Sequence, residues 1–381
     1  MGEFGEKKRW GIPPWVIDFR PRFEFPEAAG LIPDVVEVAI IGGGFTGLAA
    51  AACLRRMDPS KSVVMFEAET IGAGASGHTG GMCLGETAVG DLPGLGDVLK
   101  GFSGLLRELD VECNLSLPGA SELARKKGGA NSSIHWDDSG DLHVVKEVAG
   151  GTIDPGKMVS GLARAAEKSG AMIFENARVE NVEFSAPIRL QVAGREVKAR
   201  RVLFATNAQS LELSGLAGSA QSKFTLALAT APLSAEQLSE IGLASRKPFY
   251  TVDFPYLWGR LLNTNGVIFG SGLVHFNDWR EVRALEIDSG EAGDLMRKLE
   301  KRVHALHPAL RDVKVTHRWG GPILVAAEWQ PIFARHPKSA DAIVLGAYSG
   351  HGVALSVYLG NWAAEVMLGR RELPNWDVSE K

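Results

Sequence analysis

Residues 35–53 read VVEVAIIGGGFTGLAAAAC, and this stretch decides the fold. Val35, Val36, Val38, Ala39, Ile40 and Ile41 form an apolar run suited to a strand buried in a parallel sheet. The run passes straight into Gly42-Gly43-Gly44-Phe45-Thr46-Gly47. An alanine-rich stretch then predicts a helix to about Met57, stopped by Asp58-Pro59. Strand, glycine turn and helix in that order give G-x-G-x-x-G its meaning as a dinucleotide site. Gly42 permits the tight turn, Gly44 lets a diphosphate approach the backbone, and Gly47 lets the helix lie close to the strand. The free N–H groups of the helix's first turn then face the diphosphate. A second apolar run, Val63-Val64-Met65-Phe66, ends at Glu67, twenty residues after Gly47. A carboxylate there accepts hydrogen bonds from an adenosine ribose and repels a 2′-phosphate.

The 381 residues are enough for two domains. A net charge of −4 gives no broad basic field for nucleic acid. Three cysteines, Cys53, Cys83 and Cys113, lack C-x-x-C spacing, which argues for a reducing compartment and against a zinc site. His304 and His307 lie one helical turn apart without a third ligand nearby, so a solvated helix face is expected and no metal. With no apolar run of spanning length and no signal-like start, the expectation is a soluble cytoplasmic protein. Its oligomeric state is left open.

Outward from the core motif, residues 1–33 carry Trp10, Trp15, Phe19, Phe23 and Phe25 among prolines. They predict an arm anchored by aromatics across the folded body. Residues 71–82, rich in glycine, predict backbone passing close to a ligand larger than a nicotinamide nucleotide requires. Residues 92–150 read as a separate layer with a helix near 98–109. A helix from Asp154-Pro155 to Lys168 follows, then strands at 171–174, 178–184, 188–192 and 196–199. A buried strand at 201–207 ends in Ala205-Thr206-Asn207, the usual edge of a cofactor site. Further on, 251–261 predicts a strand with Phe254, Tyr256 and Trp258 on one face, 267–272 another, and 284–307 a charged amphipathic helix. Residues 342–353 repeat the strand–glycine–helix pattern, with a second helix N-terminus aimed at a ligand. The fold expected is α/β, with a Rossmann-like dinucleotide-binding domain.

VAIIGGGFTGLAAA with Glu67, GAGASGHTGG, the helix from residue 155 with Val179 after it, LFATNA, RWGG and GAYSGHGVALS span residues 35–368. Together they resemble the FAD-dependent oxidoreductases of the D-amino-acid oxidase superfamily, in look nearest the amine oxidases with a Trp/Pro-rich arm. The resemblance implies a Rossmann-like FAD/NAD(P)-binding domain from residues 34–91, 151–225 and 331–381, and a second α+β substrate domain on a mostly antiparallel sheet from 92–150 and 226–330. It implies that Gly42, Gly43, Gly44, Phe45, Thr46 and Gly47 hold the diphosphate, and that Glu67 and Ala68 hold the adenosine. Val179, Ala205 and Thr206 would complete that end. Ser76, Gly77, His78, Thr79, Gly80, Gly81 and Met82 would run beside the isoalloxazine, and Gly350, His351, Gly352 and Val353 would meet its N1–C2 carbonyl side. A helix N-terminus there stabilises the charge of a reduced flavin.

The same resemblance implies oxidation of a C–N bond in a small amine or amino-acid derivative by hydride transfer, with oxygen or another acceptor taking the electrons. His78 raises covalent flavin attachment, though a histidine that only stacks or hydrogen-bonds locally is preferred. His78, His351, Tyr256, Trp258 and His275 are the candidate catalytic residues. Arg318-Trp319-Gly320-Gly321-Pro322-Ile323 places Ile323 where these oxidases carry a carboxylate-clamping arginine. That departure favours an amine without an α-carboxylate. Arg260, Arg318 and Arg335 are alternative clamps. Oxidation of a hydroxy acid, or a catalytically redirected flavoprotein subunit, stand as other readings.

Overall fold

The apolar run and glycine turn form β1 (Val35–Ile41) and α1 (Phe45–Met57), joined through Gly42 at φ +111°, a region glycine enters without strain. A Cβ on Gly47 would stand 2.1 Å from the Gly42 carbonyl oxygen, so only glycine lets the helix sit this close. The computed structural model describes residues 9–376 apart from 128, 130 and 277, so the first eight residues of the arm lie outside it. β2 (Val63–Phe66) pairs parallel with β1, and α2 (Ala75–His78) and β3 (Met82–Leu84) carry the glycine-rich stretch.

α3 (Val98–Glu108) is capped by Asp97, whose carboxylate accepts from the Lys100 N–H, a contact that stabilises by about 1 kcal/mol. Its buried Val98, Leu99, Phe102 and Leu106 join the core of α1, so the separate layer expected at 92–150 begins only after this helix. β4 (Ala120–Ala124), β5 (His135–Asp137) and β6 (Asp141–Val148) then start a second sheet, and β7 (Gly150–Thr152) pairs back with β3. α4 (Pro155–Lys168) is capped by Asp154 with proline at its first position, where the missing N–H costs nothing. β8 (Met172–Phe174), β9 (Val179–Glu183), β10 (Ile188–Val192) and β11 (Arg195–Phe204) follow. The strands expected at 196–199 and 201–207 are therefore one. Its first half pairs with β10 and its second with β1, while Arg200 stays exposed between buried Ala199 and Val202.

After α5 (Leu211–Ser214), β12 (Ala220–Thr230) enters the second sheet, followed by α6 (Ala235–Glu240), β13 (Phe249–Thr251), β14 (Trp258–Leu261) and β15 (Val267–His275). The single strand expected at 251–261 is broken. Thr251 and Leu257 hydrogen-bond each other across residues 252–256, which places Phe254 and Tyr256 on a loop and leaves only Trp258 in a strand. The helix expected at 284–307 is α7 (Glu281–Ala284) and α8 (Gly290–Leu306), divided where Leu285 is extended. β16 (Val315–Ala326) ends this sheet, and β17 (Ile332–His336), β18 (Ser339–Gly346) and α9 (Gly352–Met367) return to the first.

The first sheet runs β17-β18-β11-β1-β2-β8, parallel from β18 to β8, with β10 and β9 attached beside β11. The second runs β16-β12-β15-β14-β13-β4-β6-β5 and is antiparallel except for β13 against β4. This is the α/β architecture expected, a Rossmann-like sheet beside a mostly antiparallel one. Among the described residues no helix is long and apolar enough to cross a membrane. The arm crosses between the sheets: the Trp10 indole donates to Val282 O (2.9 Å), and the Trp15 indole to Gly77 O (2.8 Å).

Candidate active site

A cavity of about 980 Å³ is lined by residues of both sheets. At one end lie Gly42, Gly43, Gly44, Phe45 and Thr46, with Glu67, Ala68, Arg178, Val179, Ala205 and Thr206 around them. The Glu67 carboxylate accepts from Gly43 N–H (2.7 Å) and Glu69 N–H (2.9 Å). Burial nonetheless pushes its carboxyl above the ordinary value. Ser76 Oγ accepts from Phe45 N–H (2.9 Å), and a Cβ on Gly44 would lie 2.9 Å from that oxygen. The Thr206 hydroxyl is buried at the cavity wall with no partner. A helix N-terminus lined by glycine, a carboxylate at the end of β2 and an unsatisfied hydroxyl are the donor and acceptor set that an adenine dinucleotide takes. Gly47, Gly77 and Gly81 are not on the wall. Each holds backbone together behind it: Gly47 against Gly42, Gly77 against Gly72, and Gly81 against Ile153.

Along the middle run Ser76, His78, Thr79, Gly80 and Met82. Three anchors fix this segment from behind. Trp15 donates to Gly77 O (2.8 Å), Trp319 to His78 O (3.0 Å), and Arg260 Nε to Gly80 O. His78 Nδ1 lies 2.9 Å from Gly74 O, and its ring meets Trp10 edge-on at 5.3 Å. Across the cavity, Gly350, His351, Gly352 and Val353 form the start of α9. His351 Nδ1 faces Ser349 O at 3.4 Å, and burial holds the imidazole below its ordinary pKa, hence neutral at pH 7. Tyr348 and Thr46 share a hydrogen bond (2.6 Å) that joins the two helix N-termini.

At the far end, Tyr256, Trp258 and His275 reach the wall, as does Ile323. Tyr256 stacks obliquely on Phe254 at 4.2 Å, and Trp258 fills the space over Gly80 and Gly270. His275 lies exposed at the end of β15. A polar group that local pattern did not announce completes this end. The Tyr250 hydroxyl donates to Glu122 (2.9 Å) and lies 3.2 Å from Glu86, and both carboxylates line the cavity. Burial first, then these two carboxylates, push the Tyr250 phenol far above its ordinary value.

None of the arginines considered as clamps reaches the wall. Arg318 is paired with Glu300 (2.7 Å), Arg335 bonds the Ala340 carbonyl, and Arg260 stands behind Gly80. Among the described residues of the lining, Arg178 at the adenosine end is the one arginine. His304 faces Val313 O at 3.0 Å, and His307 accepts from Ala309 N–H. Cys53, Cys83 and Cys113 are buried away from the wall, and burial raises each thiol, Cys53 and Cys113 to about 12. They are therefore unreactive thiols.

A Rossmann-like sheet and an antiparallel sheet that share one cavity, with a dinucleotide cradle and a chamber holding Glu86, Tyr250 and Glu122, define a dinucleotide-dependent oxidoreductase. The chain belongs to the DAO family of FAD dependent oxidoreductases, whose family model matches residues 37–366. FAD is thus its cofactor, and the cradle fits it. Gamma-glutamylputrescine oxidoreductase of Escherichia coli (strain K12) is 25% identical over 378 residues, covering 88% of this chain and 84% of that protein. Glycine oxidase of Bacillus licheniformis is 23% identical over 372 residues, covering 89% and 95%. Among solved structures, L-proline dehydrogenase from P. horikoshii shares the fold with a TM-score of 0.72 at 18% identity, covering 90% of this chain and 96% of that one. Glycine oxidase from Geobacillus kaustophilus gives 0.70 at 19%, covering 90% and 97%.

Proposed function

We propose that this oxidoreductase oxidises the C–N bond of a small amine that lacks an α-carboxylate. The observation that carries the reading is the far chamber: two carboxylates joined through one hydroxyl, Glu86, Tyr250 and Glu122, with no arginine beside them among the described residues of the lining and one exposed lysine, Lys146, 3.8 Å from Glu122. Such a chamber attracts a cationic amine and gives a carboxylate substrate no bidentate partner. The likeness to a relative named for γ-glutamylputrescine, whose putrescine amine has no carboxylate on the neighbouring carbon, supports this, while the likeness to glycine oxidases does not.

Gly42, Gly44 and the first turn of α1 would hold the FAD diphosphate, and Glu67 the ribose. The segment 76–82 and the start of α9 would flank the ring. FAD, when bound, accepts the hydride of the C–N oxidation. Trp258, packed over Gly80, shields the chamber from water, whereas Phe254 and Tyr256 are exposed on the 252–256 loop. His351 is neutral, and with Nδ1 turned to Ser349 its Nε2 is free to take the proton that the ammonium must lose before its C–H bond breaks. Anaerobic mixing of the holoprotein with amines, α-amino acids and hydroxy acids tests the reading. Amines are expected to bleach the flavin fastest, and bleaching by hydroxy acids alone would overturn it.

A further inference from the structure

Arg260 is a buried cation that the reading above leaves without a task. It is 6% exposed, it takes part in no ion pair among the described residues, and its one hydrogen bond runs from Nε to the carbonyl of Gly80. Burying an unpaired charge is costly, so a surrounding fold that keeps one has a use for it. The neighbours do not neutralise it. The Cys83 thiol beside it is held in its neutral form by burial, and the carboxylate that acts on it, Asp154, is the N-cap of α4, bonded to Lys157 N–H (2.9 Å). Burial lowers the guanidinium to about 10, which still leaves it charged at neutral pH.

Its position decides what the charge does. Arg260 lies two residues after Trp258 in β14, so both side chains project from the same face of the sheet. Trp258 occupies the space a Cβ on Gly80 would need, and Arg260 takes the carbonyl of the same residue, with its Nη2 3.1 Å from where a Cβ on Gly81 would stand. One strand of the second sheet therefore grips one peptide of the cavity wall, and the positive charge sits one peptide thickness behind it. On the proposed placement of FAD, that peptide flanks the ring. A flavin that takes up two electrons and one proton carries one negative charge, which a fixed cation stabilises relative to the neutral oxidised ring.

We propose that Arg260 is a positioning residue that sets the redox poise of the bound flavin, its guanidinium holding Gly80 in place and raising the two-electron midpoint potential. The inference rests on the ring lying against residues 76–82. By linkage, reduction of the flavin strengthens retention of the Arg260 proton to the same degree.

The test is the midpoint potential of purified holoprotein, measured by slow reduction beside a reference dye. Arg260→Met is expected to disfavour the reduced flavin at least tenfold, a fall of about 30 mV for a two-electron couple. Arg260→Lys, which keeps the charge, is expected to stay within threefold of the parent. An unmoved potential in Arg260→Met with FAD bound overturns the role of Arg260 alone, whereas parent protein that takes up no FAD sinks the placement beneath it. Should Arg260→Met fail to yield folded holoprotein, Asp154→Asn gives a test of opposite sign. Asparagine still caps α4, and the lost negative charge is expected to favour the reduced flavin at least twofold. An unchanged or lowered potential there overturns the proposal.

Discussion

The Trp319 indole donates to the carbonyl of His78 at 3.0 Å, which ties the middle of β16 to the end of α2 across the two sheets. Trp15 of the arm repeats the contact one residue earlier, on Gly77 O (2.8 Å), and its ring meets Trp319 edge-on at 5.5 Å. The segment beside the proposed flavin ring is thus fixed by side chains that touch no ligand. A buried carbonyl left without its donor costs about 1–3 kcal/mol. Trp15→Phe keeps the aromatic packing and removes the N–H, so its FAD dissociation constant is expected to rise about tenfold. Fluorescence titration of apoprotein with FAD reads it, and parent-like affinity would show that the arm does not hold the segment.

His78 has its Nδ1 at 2.9 Å from Gly74 O and its ring against Trp10. A ring engaged on both counts is oriented by the protein and needs no bond to the flavin to hold it. Acid precipitation is expected to leave the flavin in the supernatant. Yellow colour retained by the pellet would establish a covalent link, and peptide mapping would then be directed to His78, since the Cys83 thiol is buried off the cavity.

Glu67 is expected to make apoprotein stability depend on pH. Its carboxyl is raised in the folded state by burial, so between the unfolded value of about 4.3 and the folded value the native chain binds a proton that the unfolded chain has released. Stability from this group is full below that window and declines as pH rises through it. Glu67→Gln removes the decline, so the apo variant is expected to melt higher than the parent at neutral pH and alike in acid. FAD affinity moves the other way, because glutamine offers one acceptor oxygen where the carboxylate offers two. Melting curves of apoprotein across pH, with and without FAD, check both signs.

The cradle and the chamber differ in how far the sequence reveals them. β1, the glycine turn, α1 and Glu67 lie within 33 consecutive residues, and each step is a local rule of strand, turn or helix. The chamber depends on pairing across distance. Tyr250 and Glu122 are direct partners in the parallel register of β13 and β4, and Glu86 comes from just after β3. No local periodicity links these three positions, so the pattern of either strand alone is silent about them. The same holds for residues 252–256, where alternating aromatics suggest a strand and the hydrogen bonds between Thr251 and Leu257 close a loop instead. The break before Gly290 escaped for another reason: the apolar positions of 281–289 continue into α8 and hide a local signal, Ser289 as an extended N-cap followed by Gly290 at φ +54°.

Glu86 and Glu122 carry the last and most discriminating expectation. If their shared hydroxyl contact with Tyr250 orients a cationic amine, removing one charge at a time weakens the ground-state complex more than the chemical step. Glu122→Gln is therefore expected to raise KM for the best amine about tenfold, the usual weight of one charge-assisted hydrogen bond, with kcat changed much less. Glu86→Gln carries a second signature, because the Glu86 carboxylate acts on His351 and favours its protonated form. Without it, burial lowers the imidazole further, so the acid limb of kcat/KM is expected to move to lower pH in Glu86→Gln. In Glu122→Gln that limb is expected to stay in place. Steady-state kinetics over pH 5–9 separate the two. A rise in kcat/KM for amines in either variant, or an acid limb that moves upward, would remove the chamber from substrate recognition and leave the nature of the substrate to the apolar wall of Ile323, Tyr256 and Trp258.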